Sequence, residues 1–168
     1  MPNWCQNSVY IEAPSADIQA IIDGVNKWAV LNSLYPEPEH AENTEDHMPA
    51  WWRWRVDNWG TKWDAAAEIV SHDVEGGWIN LSMDTAWGPP IEAFEHWAEQ
   101  NEDRSYTIRY IEYGMGFTGQ AKNGERISFY IDDIERDMNS DDSYEAAIAA
   151  ELDDEFEIVN TLEFMREA

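Results

Sequence analysis

Gly76-Gly77-Trp78-Ile79-Asn80-Leu81-Ser82-Met83, followed by Pro89-Pro90 and then Ile91, Phe94, Trp97 and Ala98, is the stretch on which the fold turns. The glycine pair signals a turn. Beyond it Ile79, Leu81 and Met83 alternate with Asn80 and Ser82, as a strand with one buried face requires. The proline pair presets backbone angles for a first helical turn, and the apolar residues after it recur at helical spacing. Tyr106-Thr107-Ile108-Arg109-Tyr110-Ile111-Glu112-Tyr113 then returns to strand, rich in β-branched and aromatic residues.

Working outward, Ser8-Val9-Tyr10-Ile11-Glu12 reads as an earlier strand. Pro14-Ser15 opens a helix carrying Ile18, Ile21, Ile22 and Val25 on one side, with Ser15 as its N-cap. Residues 35–48 are rich in Pro, Glu, Asp and His without apolar periodicity and read as an exposed loop, an insertion near 36–50. Periodicity does not separate helix from strand over residues 65–71. Lys122-Asn123-Gly124-Glu125 suits a two-residue hairpin turn between 117–121 and 126–131. The order β, α, β, β, α, β plus a hairpin is the split βαβ arrangement of ferredoxin-like domains, an α+β antiparallel sheet with two helices on one face.

The other face of such a sheet must be covered or used. Tyr144, Ile148, Leu152, Phe156, Val159 and Leu162 form one apolar stripe on a long helix, and Asp142 with Glu145 make a capping box at its start. One domain over 1–168 is expected, with a ferredoxin-like core over 1–136 and an acidic helical extension over 137–168. No internal repeat divides the chain.

The chain has 168 residues and 43% hydrophobic residues, including 10 Trp, too many large apolar groups for a disordered polymer. Its net charge of −25, from 35 acidic against 10 basic residues, repels phosphates and anionic lipids and attracts basic partners. Direct nucleic acid or membrane binding is therefore disfavoured. Cys5 is the only cysteine, which excludes an intramolecular disulfide and fits a reducing cytoplasm. Neither a secretion signal nor an apolar run of about 20 residues is present, so cytoplasmic residence is expected.

Met1-Pro2-Asn3-Trp4-Cys5-Gln6-Asn7, Asn58-Trp59-Gly60-Thr61-Lys62-Trp63-Asp64, Thr85-Ala86-Trp87-Gly88-Pro89-Pro90 and Tyr110-Ile111-Glu112-Tyr113-Gly114 carry a family resemblance. They resemble the YubB-like ferredoxin-like family, encoded mainly by phages and plasmids. The resemblance implies the fold and an accessory role in a mobile element. It brings no established catalytic residues.

Several motifs weigh more toward structure than chemistry. Gly114-Met115-Gly116-Phe117-Thr118-Gly119 matches GxGxxG, but a hairpin rather than a helix follows, which favours a sheet bend over a nucleotide site. Glu92, Glu95 and His96 offer at most one pair of metal ligands, and His40, His47 and His72 have no paired spacing, so a solvated helix face is preferred and no metal or cofactor is expected. No GxSxG or SxxK accompanies Cys5, which reads as a buried, inert thiol. Catalysis is not expected.

Two binding surfaces remain. Trp51, Trp52, Arg53, Trp54 and Arg55 are either a Trp-rich core edge with Arg stacked on rings or an exposed hot spot for a protein. Residues 137–168 carry 11 acidic residues and one basic, Arg166. At about 1.5 Å per helical residue this gives one carboxylate every roughly 4 to 5 Å, near the spacing of about 3.4 Å per phosphate along a DNA strand. Asp141, Asp142, Glu145, Glu151, Asp153, Asp154, Glu155 and Glu157 are thus candidates for a DNA-mimicking surface, and the alternative is a solvated helix face. The expected function is inhibition of a basic host protein that handles DNA or RNA, such as a restriction, CRISPR or repair enzyme. The competing expectation is a Trp-centred binding module with charge serving solubility.

Overall fold

The computed structural model describes residues 3–39 and 49–167. His40, His47 and most of the insertion expected near 36–50 lie outside them. The described elements run β1 (Trp4–Glu12), α1 (Ser15–Asn26), α2 (Val30–Leu34), α3 (Ala50–Trp59), β2 (Ala66–Asp73), β3 (Trp78–Ala86), α4 (Ile91–Glu99), β4 (Ser105–Glu112), β5 (Phe117–Lys122) and β6 (Glu125–Tyr130). A 3-10 turn over Ile131–Asp133 leads into α5 (Ile134–Met138), α6 (Ser143–Phe156) and α7 (Ile158–Glu167).

Among the described residues the strands form a six-stranded sheet in the order β2-β3-β1-β4-β5-β6, antiparallel at every pairing. The first four are the ferredoxin-like unit, with β5 and β6 added beside β4. Strand alternation sorts the side chains. Val9, Ile11, Ile79, Leu81, Met83 and Ile108 point into the main core, where Ile18 and Ile21 of α1, Leu31 of α2, Trp59 of α3 and Phe94 of α4 meet them. The β5–β6 loop has φ of 47° at Asn123 and 89° at Gly124, the positive pair that a two-residue turn of this twist requires.

Three local expectations are corrected. Ser15 is the first helical residue rather than the N-cap: Pro14 holds that position, and its carbonyl accepts the N–H groups of Asp17 and Ile18 without a side-chain cap. Residues 66–73, where periodicity left helix and strand open, are strand, and the segment carrying Trp51 to Trp59 is a separate helix. The C-terminal stripe is not one long helix. Glu157 takes φ 50°, ψ 44°, the left-handed conformation that ends α6, and α7 starts afresh. Half of the expected capping box forms. The Asp142 carboxylate accepts N–H bonds from Tyr144 and Glu145, while the Asp142 N–H goes to Ser140 and not to Glu145.

Candidate functional site

Helices α1 to α4 cover one face of the sheet. The other face is covered over one half only. There Ile148, Ala149 and Leu152 of α6 and Ile158 of α7 bury themselves with Ile111, Phe129, Ile131 and Ile134 in a second core. Tyr144, assigned to the same stripe from its spacing, is 54% exposed and lies off it. Ile158, outside that stripe, is fully buried, because the left-handed Glu157 rotates α7 relative to α6.

Docking fixes where the acidic residues go. Arg109 on β4 donates to Gln120 and to Glu151, and it also pairs with Glu155 at 3.8 Å. Glu151 and Glu155 are therefore partly neutralised by the domain's own sheet. Asp142 caps α6, and Asp153 accepts the Val159 N–H at 2.8 Å, bracing the break. Asp141, Glu145, Asp154 and Glu157 are exposed and carry no ion pair among the described residues.

The tryptophan cluster divides. Trp59 is 1% exposed, and its indole N–H donates to the Tyr35 carbonyl at 2.8 Å. Trp54 packs edge-on against Tyr35 and Trp59. The Arg55 guanidinium forks onto Glu37 and lies over the Trp51 and Trp59 rings at 5.0 and 5.1 Å. Trp51 and Trp52 are half-buried and Arg53 is exposed. Of the five residues Trp54 packs against the main core, and Arg55 stacks on neighbouring rings.

Sequence reasoning missed an aromatic ledge at one end of the sheet. The Lys62 ammonium sits 4.4 Å from the Trp63 ring centre and 5.1 Å from that of Trp87, while Trp4 packs on Trp63. Trp4, Trp63 and Trp87 remain 52%, 36% and 44% exposed. Trp87 has φ 68°, and its N–H is held by the Asn3 carbonyl at 2.8 Å. Each of these tryptophans sits in one of the family-like motifs, yet only the closing of β1 against β3 brings residues 4, 62, 63 and 87 together.

The remaining motif residues knit that end. The Asn7 amide donates to Thr85 Oγ1 at 2.9 Å, Thr85 donates to the Gly88 carbonyl, and Thr61 to the Ala86 carbonyl. The buried Glu112 carboxylate accepts the Gly114 and Met115 N–H groups at 2.7 and 2.6 Å, which shapes the β4–β5 turn in which the GxGxxG match begins. Burial, with Glu112 nearby, pushes the Cys5 thiol up to about 12. Glu92 and Glu95 bind Arg126, and His96 stacks on Tyr35 at 3.5 Å. Among the described residues no group of three or more His, Cys, Asp or Glu is arranged to hold a metal, and no helix is long and apolar enough to cross a membrane.

Residues 58–161, from the end of α3 into α7, match the family described as ferredoxin-like domain in Api92-like protein. The chain belongs to that family. The match takes in β2 to β6 and the docked α6, so the ferredoxin-like assignment rests on sequence as well as on strand order. Comparison with curated proteins and with solved structures gives no match.

Proposed function

We propose that this ferredoxin-like protein is a non-catalytic accessory protein of a phage or plasmid, of the YubB-like kind, that inhibits a host DNA-handling enzyme by presenting an acidic, DNA-like surface. It acts in the host cytoplasm on a basic partner and does not itself bind nucleic acid. The observation that carries this reading is the set of exposed, unpaired carboxylates at the two ends of the docked helix α6. The helix is anchored through Ile148, Ala149 and Leu152, which holds Asp141 and Glu145 at its start and Asp154 and Glu157 at its end in water, within a chain of net charge −25. Carboxylates held this way replace phosphate contacts without the ordering cost of a free tail.

The test is inhibition of restriction, CRISPR and repair nucleases at low and high salt, with wild type and with a variant carrying Asp141→Asn, Glu145→Gln, Asp154→Asn and Glu157→Gln. The expected outcome is salt-sensitive inhibition that the folded variant loses. Salt-insensitive inhibition, unchanged in the variant, would overturn it. One observation favours the Trp-centred alternative: the exposed ledge of Trp4, Trp63 and Trp87 around Lys62.

A further inference from the structure

The half of the sheet's outer face that α6 leaves open is a groove of about 580 Å³, bounded on one side by Phe156 at the end of α6. Its floor includes the side chains of Gln6, Ser8 and Ser82, which have no hydrogen-bond partner among the described residues. A second hollow of about 260 Å³ shares Ser82 with it and continues across the edge strand β2 to Trp28.

Two features of this second hollow have no intramolecular explanation. Glu68 pairs with Ser82 across β2 and β3, and Asp84 is the next residue on the same face, so two acidic residues are diagonal neighbours, positions whose backbones ordinarily lie about 7 to 8 Å apart, with no ion pair to either among the described residues. Trp28 follows the C-cap of α1, where a left-handed residue is ordinarily Gly. It nevertheless holds φ 58° while leaving 75% of its surface in water. Neither backbone preference nor burial selects tryptophan there. A bare ring beside two carboxylates is an acceptor set for the N–H groups of a guanidinium or ammonium ion.

We propose that this groove binds an arginine- or lysine-bearing segment of a partner protein, with one cationic side chain held between Glu68, Asp84 and the Trp28 ring. The segment's backbone meets the amide and hydroxyl groups of Gln6, Ser8 and Ser82. Charge complementarity selects the occupant. A nucleic acid strand or a second copy of a chain of net charge −25 would bring negative charge onto Glu68 and Asp84. The inference rests on the proposed basic partner and adds a contact on the open sheet to the one made by the α6 carboxylates.

The probe is a short fluorescein-labelled oligo-arginine peptide titrated with the full chain. Trp28→Gly removes the ring and relieves the left-handed backbone, so it should keep or raise the melting temperature while weakening binding about tenfold or more. Glu68→Gln with Asp84→Asn should weaken it comparably, whereas the charge-matched pair Asp141→Asn with Asp154→Asn on α6 should change it less than about twofold. Labelled duplex DNA, titrated separately, should show no binding. Equal losses in the two charge-matched pairs, wild-type affinity in Trp28→Gly, or no peptide binding would each overturn the groove. So would direct binding of the labelled DNA, or self-association that Trp28→Gly abolishes. If the α6 variant loses nuclease inhibition while Trp28→Gly keeps it, the groove is wrong and the acidic-surface reading stands. The reverse result leaves the groove and removes α6 as the contact.

Discussion

Cys5 and Tyr110 show how burial governs single residues in this sheet. Burial raises the Cys5 thiol from 9.0 to about 12, and the Tyr110 phenol from 10.0 to about 12. Both are largely neutral in the folded and unfolded states at pH 8. Above pH 9 the unfolded chain ionises first, so stability is fully present below that point and falls as pH rises toward about 12. Urea melts at pH 8 and about pH 10.5 should show a loss of several kcal/mol, on the order of 1.4 kcal/mol per pH unit for each group ionised only in the unfolded chain. Cys5→Ala should make the decline shallower; an equally steep decline would show that Cys5 is not its source. That Cys5 is buried was legible from its place beside an apolar strand. Which tryptophans are buried was not: Trp59 is 1% exposed and Trp63 36%, and nothing in their spacing distinguishes them.

At the scale of elements, the Asn123-Gly124 hairpin was readable because only a few residue types accept positive φ at both central positions. The break at Glu157 was unreadable for the converse reason. A glutamate gives no warning of a left-handed conformation, and residues spaced by three and four describe a stripe whether or not the backbone reverses sign. Two substitutions separate docking from the break. Leu152→Ala should cost about 2 to 5 kcal/mol by leaving a cavity in the second core, where the leucine is fully buried. Glu157→Gly should raise stability by up to about 1 kcal/mol, since the side chain is exposed and the backbone strain is relieved. Thermal or urea unfolding measures both, and a destabilised Glu157→Gly would mean that the side chain holds the junction.

At the scale of the molecule, 35 acidic against 10 basic residues make self-repulsion a standing cost of the compact state. Ion pairs such as Arg55 with Glu37, Arg104 with Asp17 and Arg126 with Glu92 and Glu95 offset only part of it. Moderate sodium chloride should therefore raise the melting temperature, because screening acts on the many repulsive pairs more than on the few attractive ones. A melting temperature that falls with salt would show that those pairs outweigh the repulsion.

The sequence by itself determined the ferredoxin-like strand order, the hairpin and the charge, because alternation, turn chemistry and composition are local properties that survive without a partner in space. Only the tertiary structure decided which carboxylates Arg109 neutralises, which half of the sheet α6 leaves open, and that Trp4, Lys62, Trp63 and Trp87 meet. Those outcomes depend on residues far apart in the chain brought to one face by strand pairing, and on the sign of one dihedral angle at Glu157.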